Sequence, residues 1–463
     1  MSYKPESEIE EKYLLILNET FFPFFSKDDL EKIELCTNKK SKDNPCFIYI
    51  DKTVFIKLPF VSVFQNKQSE NKILKLMIND LKYVELGLIK NIVDKMQAYL
   101  KAIFSNNVDI LLNLAKDIIN HAIDDGICQW LSGGQPIESN YKKVLTALKK
   151  DSTITYEGKS ITKIIGYKNQ KFNDGQTNLK ETVLNFINNK YSLPIANCND
   201  TAILADRKSD KILEYIYANE RDLSEEFIVP LQYSKICQTL QNENTLNIFI
   251  LTNSGDILVV KDKLLVLKYS SNTWHYIKYN GFKTVLYKNL GICDENERII
   301  FNSLIDVSFA RTGGCLCILN DNIKDSELCE FINPVDLFEN IYNNLNNNPE
   351  IKEVTKIKRQ SIISAILPLD KAILPQNNNV DRNVNFFELN RKLRQELLSL
   401  DGATIIRKDG TLVATGAIIS LKTQGDGGGR TAATKQLSDY GIAFKISEDG
   451  EITCYHDGDV VEM

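Results

Sequence analysis

The chain reads as an α/β (α+β) protein because helical and strand periodicities alternate along it and a helix-to-hairpin passage lies near its end. Apolar residues recur at helical spacing between about 70 and 131: Ile73, Leu74, Met77, Leu81, Val84 and Leu86, then Ile110, Leu111, Leu114, Ile118 and Ile119. Short β-rich runs joined by turns follow at 247–279: Asn247–Leu251, the Ser254-Gly255-Asp256 turn, Ile257–Val260, Leu264–Tyr269 and Thr273–Tyr279. Their spacing predicts successive antiparallel strands. Near the C-terminus an amphipathic stretch over Phe386–Leu400, with Phe387, Leu389, Leu393, Leu397 and Leu398 toward a core, runs into Asp401.

The remaining elements follow in chain order. Residues 1–45 mix charged helical stretches with the aromatic cluster Phe21-Phe22-Pro23-Phe24-Phe25. The β-branched and aromatic run at 47–64 predicts two strands. Ser132-Gly133-Gly134-Gln135-Pro136 ends the helical block, and a further helix is expected over about 178–189. On the last hairpin strand Trp274 and Tyr276 share one face, with His275 on the other. Asparagine-rich stretches at 343–348 and 377–379 read as loop tips, with a strand between them at Ser361–Leu367.

With 463 residues the chain is long enough for two or three domains. The 43% hydrophobic and 25% charged composition is that of a globular protein, not of a disordered or fibrous one. The 56 basic and 61 acidic residues give a net charge of −5, so a nucleic-acid surface is not indicated. No run of about 18 apolar residues points to a membrane, and the first residues carry no apolar leader, so a cytoplasmic location is expected. Ten cysteines are scattered singly except for Cys315 and Cys317, and no C-x-x-C motif occurs, which argues against zinc. That pair alternates on an expected strand and reads as small buried apolar groups.

Two motifs in the last sixty-odd residues carry chemistry. Asp401-Gly402-Ala403 stands just ahead of a hairpin: Thr404-Ile405-Ile406, the Lys408-Asp409-Gly410 turn, then Leu412-Val413-Ala414. Gly427-Gly428-Gly429-Arg430-Thr431-Ala432-Ala433 couples a glycine run to an arginine and a helix-compatible stretch. Converging backbone N–H groups, a helix start and a two-pronged guanidinium suit phosphate oxygens. Together the motifs suggest a carboxylate held near a phosphate cradle. Each has a plainer reading as well: an Asp-Gly turn, a flexible glycine loop, and for Ser447-Glu448-Asp449-Gly450 a β-turn.

In their order these motifs resemble the diadenylate cyclase domain family of DisA and its relatives, over roughly residues 296–463. Thr312-Gly313-Gly314-Cys315-Leu316-Cys317-Ile318-Leu319 is similar to the family's glycine-then-apolar strand. Asp401-Gly402-Ala403 matches its DGA motif, Gly428-Gly429-Arg430 falls at its Arg-His-Arg motif, and Ser447-Glu448-Asp449 at its Ser-Glu-Glu motif. Leu400 stands where well-known members carry histidine, and only Arg430 remains of the three phosphate-motif side chains.

The resemblance implies a central mixed sheet flanked by helices over 293–463, behind a mixed α+β sensor region over 1–190 and a strand-rich part of it over 191–292. It implies condensation of two ATP molecules into cyclic di-AMP with release of pyrophosphate, by two copies pairing their sites face to face. By the same resemblance Asp401, Gly402 and Ala403 would be catalytic. Gly313, Gly314, Cys315, Gly427, Gly428, Gly429, Arg430, Thr431 and Ser447 would bind nucleotide and phosphate. Asp401, Glu448 and Asp449 would hold Mg2+ or Mn2+. An unidentified ligand or protein would act on the N-terminal region. The alternatives are a nucleotide-binding sensor module without turnover, and a cyclase making a different cyclic dinucleotide.

Overall fold

The computed structural model describes residues 15–17, 19–21, 30–38, 47–50, 53–59, 71–79, 83–103, 108–135, 138–169, 181–189, 192, 198–218, 224–332, 337, 384–421 and 428–461. Phe22–Phe25, both asparagine-rich stretches, the strand expected over Ser361–Leu367, and Gly427 lie outside the described residues. The chain is α+β with mixed sheets. It divides into two compact units, one drawn from Met1–Asp222 and Lys235–Ile277, the other from Leu223–Ser234 and Lys278–Met463. Among the described residues no helix is long and apolar enough to cross a membrane.

In the first unit β1 (Leu30–Asn38), β2 (Phe47–Ile50), β3 (Thr53–Pro59) and β4 (Asn71–Asn79) form an antiparallel sheet in the order β1-β4-β3-β2. The helical expectation for Ile73–Met77 is corrected here. Leu74, Leu76 and Ile78 also recur at a spacing of two, and β4 pairs with strands on both sides. Helix α1 (Tyr83–Ile103) and helix α2 (Val108–Ser132) follow, then α3 (Glu138–Asp151). Gly126 lets α1 and α2 approach closely, since a Cβ there would lie 2.5 Å from the Ile92 Cα.

The small hairpin β5 (Thr155–Tyr156) and β6 (Lys159–Ser160) leads to a seven-stranded sheet. Its members, with the intervening helices, are β7 (Lys163–Lys168), α4 (Val183–Asn188), β8 (Thr201–Asp206), β9 (Ile212–Tyr217), α5 (Leu231–Asn242), β10 (Thr245–Leu251), β11 (Ile257–Lys261), β12 (Leu264–Ser270) and β13 (Thr273–Tyr276). The order is β13-β12-β11-β10-β7-β8-β9, with β7 and β8 parallel. The boundary expected between 190 and 191 therefore falls between two strands that pair with each other. Tyr141, Tyr167 and Phe249 cluster at the centre of this core. Buried Arg207 donates to the Tyr141 hydroxyl (3.0 Å) and to the Ser132 carbonyl (2.6 Å). The Trp274 indole N–H donates to Asp124 (2.7 Å), and His275 is half-buried.

The second unit contains α6 (Tyr279–Leu290), α7 (Asp294–Ala310), β14 (Gly314–Leu319), α8 (Asp325–Leu328), α9 (Arg391–Leu398), β15 (Ala403–Arg407), β16 (Leu412–Ala417), α10 (Gly429–Ser438), β17 (Gly441–Ile446), β18 (Ile452–His456) and β19 (Asp459–Val461). Its six-stranded sheet runs β16-β15-β14-β17-β18-β19, and β14 with β15 is the parallel pair. Helices cover both faces. Cys315, Cys317, Ala403, Ile405 and Ala443 pack with Leu437 of α10 on one side, while Phe282 and Phe301 of α6 and α7 stack toward Phe444. The single helix expected over Phe386–Leu400 is broken. A 3-10 turn at Phe386–Glu388 is capped by the Asn385 side chain, and α9 starts anew at Asn390, whose side chain accepts from the Lys392 N–H (2.8 Å). Phe386, not Phe387, is buried there.

Two buried charged sites stand out, one in each unit. In the second, Arg391 grips Asp306 with two hydrogen bonds (2.7 and 2.8 Å), and Asp306 is 1% exposed. Burial raises the Asp306 carboxyl above its ordinary value, although the guanidinium opposes this. In the first, fully buried Lys163 donates to the Ser192 carbonyl (3.0 Å), and burial pulls its ammonium down to about 8. Asp306→Ala leaves a guanidinium buried and unpaired, and is expected to cost about 3–5 kcal/mol in urea unfolding. Lys163 binds its proton more weakly folded than unfolded, so it destabilises the fold below pH 8 and does so less as pH rises. Unfolding free energy attributable to Lys163, wild type against Lys163→Met, should therefore rise by about 2 kcal/mol between pH 8 and pH 10.

Candidate active site

Sheet register gathers the expected site residues. Strands β14 and β15 are parallel neighbours, with Leu316 opposite Thr404, so Gly313-Gly314 and Asp401-Gly402-Ala403 both stand at the starting end of the sheet. Strand β17 runs antiparallel to β14, with Gly314 opposite Ile446, so Ser447 and Glu448 leave the sheet at that same end. Three sequence motifs, spread over more than a hundred residues, thus meet at one end of the sheet.

The contacts there are specific. Gly313 has φ +70°, and a methyl group on it would collide with the Arg430 guanidinium and meet the Glu448 Cγ at 3.3 Å. Gly313, Arg430 and Glu448 therefore converge. Arg430 lies in the first turn of α10 and is half-buried; its carbonyl accepts from the Thr434 hydroxyl (2.8 Å), while its side chain makes no hydrogen bond or ion pair with a described residue. Gly428 caps that helix without a side chain, and among the described residues no atom lies within 4 Å of where a Cβ would project from Gly428 or Gly429. A cluster of open N–H groups beside a guanidinium favours an anion.

Beneath Arg430, buried Cys315 contacts the Thr434 hydroxyl at 3.3 Å. Burial pushes its thiol up to about 11, partly offset by Thr434 and Arg430, so Cys315 is a neutral wall and not a nucleophile. Thr431 is half-buried one residue beyond Arg430.

Asp401 is exposed and follows the end of α9 by three residues. Gly402 has φ +106°, and a Cβ there would lie 2.5 Å from the Gly416 carbonyl carbon. Gly416 faces it across the hairpin, where Ala403 pairs with Ala417. The repeated Gly-Ala in Gly402-Ala403 and Gly416-Ala417 is the sequence sign of this crossing. A Thr312–Ser399 hydroxyl contact (2.7 Å), which carries no local sequence signal, ties the chain ahead of β14 to the end of α9.

The expected metal set is not brought together. Among the described residues no group of three or more His, Cys, Asp or Glu could hold a metal ion. Asp449 turns its carboxylate to accept the Glu451 N–H (3.1 Å) in the Ser447–Gly450 turn, where the Gly450 N–H reaches the Ser447 carbonyl (2.9 Å). The remaining oxygen donors, Asp401 and Glu448, are exposed and suit a hard cation that completes its shell with water and phosphate oxygens. At the far ends of β14 and β15 a cleft of about 470 Å³ is lined by Leu319, Asn320, Arg407, Lys408 and Asp409 among others, and no expected site residue borders it.

Comparison with family models and with curated proteins gives no match. Among solved structures the chain is similar to a hypothetical membrane spanning protein from Bacillus cereus, at 14% identity over 40% of this chain and 70% of that one, with a TM-score of 0.24. A likeness of that size bears on neither fold nor function.

Gly402→Ala is expected to destabilise the second unit by about 3 kcal/mol through its positive φ and the blocked approach to Gly416, read by chemical denaturation.

Proposed function

We propose that the chain is a nucleotidyltransferase of the diadenylate cyclase type, joining two ATP molecules into cyclic di-AMP under control of its N-terminal region. The observation that carries the reading is the convergence of Gly313, Arg430 and Glu448 at the sheet edge where the Asp401-Gly402-Ala403 strand begins. Arg430 and the open start of α10 offer donors for a triphosphate. Gly313 leaves room for the guanidinium to lie against the backbone. Asp401, which is exposed, would accept the proton of a ribose 3′-hydroxyl as that oxygen attacks the α-phosphorus of the other ATP and pyrophosphate leaves. Asp401 and Glu448 would hold a magnesium or manganese ion, which when bound neutralises phosphate charge.

Each chain carries one such site, so the reaction requires two copies with their sites facing. The apolar side chains of Leu400, Ile418 and Leu421 are 41%, 57% and 44% exposed. Leu400 adjoins Asp401, and Ile418 follows the strand partner of Ala403, so these two exposed apolar residues would be available to a facing copy.

A second reading, a nucleotide sensor without turnover, is favoured by the two glycines Gly428 and Gly429, around whose Cβ positions no described atom lies within 4 Å. Purified protein with ATP and manganese separates the two. Cyclic di-AMP should form, and Asp401→Asn should lower the rate at least a hundred-fold without changing ATP affinity. Saturable ATP binding with no dinucleotide would sink the cyclase reading in favour of the sensor. Arg430→Ala should weaken ATP binding at least ten-fold under either reading, and unchanged binding would remove Arg430 from the site.

A further inference from the structure

Helix α9, which delivers the chain to Asp401, has only eight residues, about 12 Å of helix. A helix that short is not stable on its own, so its place is fixed by what grips it. The grip is ionic and buried. Arg391 holds Asp306 of α7 and donates to the Val229 carbonyl (2.6 Å). Arg394 pairs with Glu225 and donates to the Ser303 hydroxyl (3.1 Å) and the Leu389 carbonyl (2.5 Å). Asp306 also accepts the Leu231 N–H (2.8 Å), and Asn302 donates to Glu225 (2.8 Å).

Nothing between α9 and Asp401 can act as a loose joint. The Ser399 and Leu400 N–H groups donate back to Gln395 (3.1 Å) and Leu397 (3.4 Å). The Leu397 carbonyl accepts from the Thr404 hydroxyl (3.1 Å), and the Leu398 carbonyl lies so close to Gly314 that no side chain fits there.

Half of this grip comes from Leu223–Ser234, a segment of the second unit that sequence places between β9 and β10 of the first. We propose that Glu225, Asp306, Arg391 and Arg394 are positioning residues for Asp401, and that Leu223–Ser234 sets the attitude of α9 and with it the aim of that carboxylate. The proposal rests on the reading of Asp401 as a site residue. The N-terminal unit, continuous with this segment on both sides, then has a covalent route to the site that needs no separate effector surface.

The test uses the full chain with Glu225→Gln, which keeps shape and removes charge, and Arg394→Met, which keeps buried volume. Amide hydrogen exchange over residues 399–404 should speed up at least ten-fold in both. Exchange in Cys315–Leu319 and Ile442–Ile446 should stay at the wild-type rate. With ATP and manganese, kcat should fall about ten-fold with KM unchanged. Unchanged exchange at 399–404, or an equal rise across the whole second unit, overturns the proposal. Absence of dinucleotide from wild type sinks the cyclase reading alone, because the exchange pattern still decides whether the grip positions Asp401.

Discussion

The second unit depends on burying arginine. Arg391 and Arg394 sit on the inward face of a short helix, almost without solvent contact, where a guanidinium is tolerated only if its donors are met. All three Arg394 nitrogens and two of the three Arg391 nitrogens are met, Arg391 Nη1 having no partner among the described residues, and these bonds fix a set of otherwise separate pieces: α7 through Asp306 and Ser303, the Glu225–Leu231 segment through a carboxylate and backbone groups, and the 3-10 turn through the Leu389 carbonyl. An apolar face of the same size would have given comparable burial with several acceptable orientations. Paired guanidinium forks leave one.

That single orientation matters because the sheet does the rest by register. One parallel pair inside an otherwise antiparallel sheet places the starts of β14 and β15 and the end of β17 at a common edge. Close backbone packing at Gly314 and Gly402 keeps that edge thin, with main chain where side chains would otherwise stand. Arg430 then fills the space over Gly313 that a thicker edge would have denied it.

Much of this was legible in the sequence where periodicity is strong. The hairpin at Thr404–Ala414, the strand run from Asn247 to Tyr276, the strand through Cys315 and Cys317, and the helix after the glycine run all appear close to where residue spacing placed them. The site motifs could be read because glycines and a lone arginine near a helix start carry local meaning. What could not be read was decided at a distance. Ile73–Met77 satisfies helical and strand spacing alike, and pairing with β1 and β3 settled it. The break at Asn390 and the inward turn of Arg391 and Arg394 depend on Asp306 and Glu225, which lie 85 and 169 residues away from their partners. Any local rule places arginines outside. The turn bond of Asp449 was open to a local reading, since an Asp two residues before an N–H in a tight turn tends to accept from it.

The interleaving of the two units has a consequence for how this protein can be taken apart. A fragment cut at residue 278 would carry α7 and α9 but lack Glu225, the Val229 carbonyl and the Leu231 N–H, so charges now covered would open to water or to one another. The C-terminal part is therefore not a portable cassette that can be moved onto another protein by a single junction. The second unit is inherited whole only when Leu223–Ser234, which sequence embeds between two stretches of the first unit, is inherited with it.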